Sequence, residues 1–172
     1  QETDRIPIAM VCSGINEPAR SAFEEYICNK GHGNLSGYLG AFLDIKTVGP
    51  QYNGPNLESG CDIWGVSRKK VQCGIGSYNE IDYYPLADIE NMGHLAQYPW
   101  PSADWYDYSV LPKRIAAAHA GRPRCIMVTN GNIFETSWYM RGFEQMFIDL
   151  AINPELANGI MDRVAGFYIA YF

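Results

Sequence analysis

The chain has 172 residues, 47% of them hydrophobic and 19% charged, which suits one domain with a sizeable core. Its net charge of −6, from 13 basic and 19 acidic residues, argues against a nucleic-acid binder, which needs a cationic face to displace counterions. No stretch reaches the roughly 18 apolar residues that a membrane span needs.

In chain order, Ile6 to Val11 is a short apolar run closed by Ser13-Gly14, and it reads as a buried strand. Asn16-Glu17-Pro18 predicts a helix start, with Phe23, Tyr26 and Ile27 at helical spacing and Lys30-Gly31 at the end. Leu39 to Val48 is an apolar run around Asp44, broken by Gly49-Pro50. From Asp62 to Tyr84 the pattern turns extended, and alternation from Val71 onward predicts one or two strands, folded as a hairpin. Gly74-Ile75-Gly76 is a poor phosphate loop, because no third glycine or following helix aims amides at an anion. The cluster Arg68-Lys69-Lys70 reads as a solvated strand or turn.

A short helix is expected around Ile89 to Ala96, and Pro99 and Pro101 then force an extended path. Val110 to Ala120 reads as an alanine-rich helix, Cys125 to Thr129 as a second buried strand, and Asn130-Gly131-Asn132 as a turn. A helix follows from about Phe134 to Ala151. In the last helix Asn153 is the expected cap and Pro154 takes the first turn. Leu156, Ile160, Val164, Phe167 and Tyr171 form its apolar stripe. The chain opens on Gln1 rather than Met and closes on Tyr168-Ile169-Ala170-Tyr171-Phe172 without a stop signal, so more protein is expected beyond it. Strands alternating with helices give an α/β pattern.

Five cysteines (Cys12, Cys28, Cys61, Cys73, Cys125) make an odd set with no Cys-x-x-Cys pair. That favours free thiols and a cytoplasmic setting over a disulfide framework. His32, His94 and His119 are far apart, and no zinc-ligand spacing appears.

Several pieces together resemble the uroporphyrinogen decarboxylase superfamily. They are Arg5-Ile6-Pro7, Leu43-Asp44, Pro50-Gln51-Tyr52-Asn53-Gly54-Pro55, Ile63-Trp64-Gly65-Val66, Pro85-Leu86-Ala87, Tyr98-Pro99-Trp100-Pro101, Arg141-Gly142-Phe143-Glu144 and Asn153-Pro154-Glu155. No single piece is diagnostic; their shared order is moderately specific and covers nearly the whole chain. The resemblance implies an incomplete (β/α)8 TIM barrel, with the first few β/α units and an inserted β-hairpin, since a full barrel takes about 250 residues. It also implies a partner in the remaining half of the barrel.

Two residues are candidates for chemistry. Asp44 lies in an apolar run, where an unpaired carboxylate is costly. Leu43-Asp44-Ile45 resembles the decarboxylase segment whose acid faces the substrate's pyrrole nitrogens, and a carboxylate there stabilises a developing cation. The competing reading is a strand-end acid capping a turn. Tyr139 falls in Thr136-Ser137-Trp138-Tyr139-Met140, which resembles a decarboxylase stretch that carries a substrate-orienting tyrosine. Its competing reading is plain helix packing. Trp100, Trp105, Tyr106 and Tyr108 read either as a lid or as a hydrophobic plug, the plug being preferred. Glu135 and Arg141 read as a pair with each other or with solvent.

The resemblance implies an enzyme that decarboxylates a tetrapyrrole-type acid or transfers a methyl group with a corrinoid protein partner. The arginine-rich segment that binds substrate carboxylates in true decarboxylases has only Arg20 to match it. The His-x-Cys zinc site of the methyltransferases has no counterpart here, so zinc and a corrinoid belong to the full-length protein if to any part. A non-catalytic ligand- or corrinoid-binding module and an inactive barrel fragment are the alternatives.

Overall fold

The computed structural model describes residues 6–10, 14–119, 121–128 and 131–172. Cys12, and the ends of both expected strands at Val11 and Thr129, lie outside them, as do Arg5 and Asn130. The chain is mixed α/β and divides into two compact units. The first comprises Gln1–Gln51, Val71–Tyr78 and Tyr108–Thr129; the second comprises Tyr52–Lys70, Asn79–Asp107 and Asn130–Phe172.

In the first unit, helix α1 (Ala19–Asn29) follows Pro18 and stops at Lys30, with Gly31 in the left-handed region just beyond. The expected strand at its start is absent. Residues 6–10 form no regular element, and Ile6 is 87% exposed, so apolar character there marks no buried strand. The apolar run Leu39–Val48 splits in two. Helix α2 (Leu35–Phe42) is capped by Asn34, whose side chain accepts from the Gly37 amide at 2.8 Å. Strand β1 (Ile45–Thr47) follows. Later in the chain, helix α4 (Leu111–Ala118) precedes strand β6 (Cys125–Met127). β1 and β6 pair in parallel, with Ile45 opposite Cys125 and Thr47 opposite Met127. The Val48 amide extends the pairing to the Met127 carbonyl at 2.9 Å.

Strand β2 (Gln51–Tyr52) pairs with β5 (Tyr106–Asp107), and β3 (Ser67–Cys73) pairs with β4 (Gly76–Tyr83) as the expected hairpin. Gly74 and Ile75 form its two-residue connection. No closed barrel is formed among the described residues.

The second unit is built around helices α3 (Met92–Ala96), α5 (Ile133–Arg141), α6 (Phe143–Ile152) and α7 (Pro154–Tyr171). The predicted stripe of α7 is the core: Leu156, Ile160, Val164, Phe167 and Tyr171 are all buried. Each such side chain contributes about 1.5–3 kcal/mol by leaving water. Trp64, Val66, Leu86, Leu95 and Met140 complete it. Asn153 stands at the start of α7 but caps nothing with its side chain. Pro154 alone sets the first turn there.

The helix expected from Phe134 to Ala151 is two helices. Gly142 breaks it with φ 95° and ψ 137°, a conformation open essentially to glycine alone. The break turns Arg141 inward, where it is buried. Its Nε donates to Asp149 at 2.6 Å, and its Nη1 donates to the Leu86 and Ala87 carbonyls. Arg141 therefore pairs with Asp149, not with Glu135 or solvent. A buried guanidinium needs a full set of acceptors, and the loop carbonyls after Pro85 provide the rest.

Candidate functional site

The second unit contains a cleft of about 660 Å³, within the range of small-ligand sites. One wall is Tyr83, Pro85, Tyr98, Pro99 and Trp105; the other is the segment Asn56 to Ser67. Asp62 shapes that second wall. Its Oδ1 accepts from the amides of Trp64 at 2.9 Å and Val66 at 3.1 Å, and its Oδ2 pairs with Arg68 at 2.8 Å. Short-range side-chain bonds of this kind set a tight turn. Gly65 completes the turn with φ 74°. A Cβ at Gly65 would meet the Tyr98 hydroxyl at 2.6 Å, so glycine is what lets that phenol approach. The Tyr98 hydroxyl donates to the Trp64 carbonyl at 2.7 Å. Burial, helped by the nearby Tyr83, Asp62 and Cys61, pushes the Tyr98 phenol up to about 12.

The polar groups of the cleft fall into two kinds. Asp62 is fully engaged by two amides and a guanidinium. Glu58, Ser59 and Cys61 line the cleft with side chains that make no hydrogen bond or ion pair among the described residues. The lining includes no Lys or Arg.

Tyr139 belongs to the second unit and does not line the cleft. Its hydroxyl donates to Glu135 at 2.8 Å. The Arg68 guanidinium lies 5.1 Å from its ring centre, a cation–π contact. Burial first, then the Glu135 bond and charge, raise the Tyr139 phenol, while Arg68 opposes them. Tyr139 thus reaches the cleft indirectly, through Arg68 and Asp62.

Asp44 belongs to the first unit. It stands at the amino edge of β1, and its carboxylate pairs with Arg122 and accepts from the Ile8 amide at 2.8 Å. Its own amide donates to the Ile8 carbonyl, and its carbonyl accepts from Cys125. Arg122 also donates to the Ala41, Phe42 and Leu43 carbonyls at the end of α2, the terminus where a cation is favoured. The geometry is that of a joint tying three segments. Parallel-sheet enzymes gather their reacting groups at the other, carboxyl edge. Asp44 and Tyr139 lie in different units.

The aromatic segment divides by role. Trp100 packs on Trp64 and Tyr98, and Tyr106 packs on Phe167 and Tyr171 with ring centres 4.9 Å apart in the last pair. These two are plug. Trp105 lines the cleft. Tyr108 falls in the first unit, exposed. Sequence reasoning passed over Arg68 as solvated; it is half-buried between Asp62 and Tyr139. The available signal was Asp62 six residues earlier across the turn glycine, Gly65. Its neighbour Lys69 is exposed and pairs with Asp82 at 2.7 Å.

Among the described residues no group of three or more His, Cys, Asp or Glu side chains is placed to hold a metal ion. No helix among them is long and apolar enough to cross a membrane. Set against models of known protein families, curated proteins and solved structures, the chain finds no match.

Proposed function

We propose that the aromatic cleft of the second unit binds a flat, largely apolar ligand, and that the chain is part of a uroporphyrinogen decarboxylase-like barrel enzyme. The observation that carries the binding reading is the pairing of a Tyr83–Tyr98–Trp105 wall with the unengaged Glu58, Ser59 and Cys61 opposite. Ring faces favour flat partners, and a few convergent polar groups orient them. The barrel reading draws support from β1 and β6, a parallel pair in which α4 leads into β6, although the rest of their connection also runs through β2 to β5 and α3.

The chemistry of the lining favours one ligand over another. Glu58 and Asp62 line the cleft, without a cation among the lining residues. A tetrapyrrole carrying many carboxylates would want bidentate arginines instead. A corrinoid edge, rich in amide donors, suits carboxylate and hydroxyl acceptors. Between the two reactions of the superfamily, the lining therefore leans toward methyl transfer with a corrinoid partner over decarboxylation of a tetrapyrrole-type acid. Zinc, if used, would come from other parts of the protein. A second reading, a non-catalytic binding module, is favoured by the full engagement of Asp44 with Arg122 and Ile8.

The test is a titration of the chain with cobalamin and, separately, with coproporphyrin, read by quenching of tryptophan emission. Saturable binding of cobalamin, weakened about 3–10-fold by Trp105→Ala, is expected for a stacked ligand. Equal affinity in the variant, or no saturable binding, would remove the cleft as a macrocycle site. Tighter binding of coproporphyrin would reverse the preference for methyl transfer.

A further inference from the structure

The first unit has a cleft of its own, of about 550 Å³, with the opposite electrostatic character. Lys46, Thr47 and Gly49 line one side, and Arg114, Ala118 and Arg124 line the other. No Asp or Glu is among its lining residues, although the whole chain carries −6.

The cleft follows from local sequence. Along β1, Lys46 alternates with Ile45 and Thr47, and its Nζ lies 3.1 Å from where a Cβ would stand at Gly40 on α2. The end of α4 runs Ala116-Ala117-Ala118, and methyl side chains leave the helix surface hollow. Arg114 is anchored by neutral groups: its Nη1 donates to the Gly49 carbonyl at 2.6 Å and the Pro50 carbonyl at 3.1 Å, and its Nη2 donates to the Gln51 side-chain oxygen. Arg124 likewise donates to the Leu43 and Ala118 carbonyls. Carbonyls fix a guanidinium in place without cancelling its charge.

The donor count of Arg114 decides what remains. A guanidinium has five N–H groups. Three are occupied along the Nη1–Nη2 end. That leaves Nε–H and one Nη2–H without an acceptor among the described residues, donors suited to a carboxylate or a phosphate. Lys46 adds an ammonium with no hydrogen-bond or ion-pair partner among the described residues. Neither Lys46 nor Arg114 takes part in the ion pairs Arg68–Asp62, Lys69–Asp82, Arg122–Asp44 and Arg141–Asp149.

We propose that this cleft is an oxyanion-binding site, in which Lys46 and the remaining donors of Arg114 line the cleft as cationic groups for a phosphate or carboxylate of a small ligand. The site lies wholly within the first unit, so it stands or falls separately from the aromatic cleft. Inorganic phosphate and succinate serve as probes of the two sources of that chemistry. Each is titrated into the full chain by calorimetry, with amide chemical shifts followed in parallel and ionic strength held constant.

The expected result is saturable binding of at least one anion, with shifts centred on residues 46–49 and 114–118. Lys46→Gln should raise the Kd about tenfold or more, the usual scale for one charge-assisted hydrogen bond. Lys46→Arg should restore most of the affinity. Lys113→Gln, on α4 but outside the lining, should leave it unchanged. Phosphate bound and succinate not would assign a phosphoryl ligand; the reverse would assign a carboxylate. Binding of neither anion would overturn the proposal. So would an equal loss in Lys113→Gln, which would mean diffuse attraction. Circular dichroism of Lys46→Gln checks its fold, and the Lys46→Arg and Lys113→Gln comparison decides the matter if that variant is unstable.

Discussion

The two units use arginine in contrasting ways. In the second, Arg141 is buried and faces an equally buried Asp149, inside a core where Met140, Met146 and Ile160 are inaccessible. In the first, Arg114, Arg122 and Arg124 are held at partly exposed positions by backbone carbonyls, and among the described residues the buried apolar ones are few: Ile27, Leu35 and Val48. One unit hides a charge inside an apolar core; among the described residues the other has little buried apolar surface and is fastened by cations at its surface. The difference bears on energy. A buried charge that loses its partner is severely penalised, whereas a solvated one is screened by water. The largest predicted effect follows from this. Arg141→Ala should lower stability by about 3–5 kcal/mol in urea unfolding, because Asp149 is left buried without its cation. The double variant Arg141→Met with Asp149→Leu should recover much of that loss. A change in Arg141→Ala no greater than that in Asp44→Asn would break the comparison.

Two smaller substitutions sharpen it. Gly142→Ala forces a Cβ into φ 95°, ψ 137°. No atom crowds that Cβ closer than Tyr84 Cδ1 at 3.9 Å, so the cost is backbone strain alone, about 1–3 kcal/mol. A neutral result in thermal unfolding would mean that the break between α5 and α6 relaxes freely. Asp44→Asn tests the surface fastening. Arg122 keeps its bonds to the Ala41, Phe42 and Leu43 carbonyls in the variant, and Asp44 and Arg122 are 16% and 33% exposed. Water therefore takes over part of the lost pair, and a loss of about 1–2 kcal/mol is expected. The same variant, made in the full-length protein, separates structure from chemistry. Lost turnover at undiminished stability would return Asp44 to the reacting groups.

Much of the second unit was legible in the sequence because its signals are periodic. The α7 stripe from Leu156 to Tyr171 repeats at helical spacing, and all five positions are buried. The hairpin was readable from the alternation around Gly74-Ile75-Gly76. What escaped is non-periodic. The Gly142 break lies inside an uninterrupted helical pattern, and only a backbone angle reveals it. Helix α2 was hidden in an apolar run that also contains β1; the usable sign was Asn34, a good cap directly before Leu35. The expected strand at Ile6 failed because apolar composition says nothing about what covers it. The cleft was legible only in part. Tyr98 and Trp105 stood out as aromatic bulk, but Glu58, Cys61 and Asp62 join them through a turn whose closure depends on long-range contacts such as Tyr98 to Trp64. Asp44 drew notice as an acid among apolar residues; its partner, Arg122, is 78 positions away, beyond any local pattern.

The smallest effect concerns that Tyr98 contact and requires alkaline conditions. Folding raises the Tyr98 phenol from about 10 to about 12, chiefly by burial. Between those two values the unfolded chain has lost this proton and the folded chain has kept it. The folded state then binds more protons, so stability falls as pH rises through this window, and below about pH 10 the group contributes no slope. Tyr98→Phe removes the titrating group. At neutral pH it should cost about 0.5–1.5 kcal/mol, the worth of the lost bond to the Trp64 carbonyl. Toward pH 12 the gap between variant and parent should narrow, because only the parent still carries the penalty. Urea midpoints at neutral and alkaline pH test this directly, since the remaining tyrosines titrate in both proteins and cancel in the difference. A gap that stays constant across the window would show that the Tyr98 hydroxyl is solvated, and the aromatic wall of the cleft would then be looser than its packing implies.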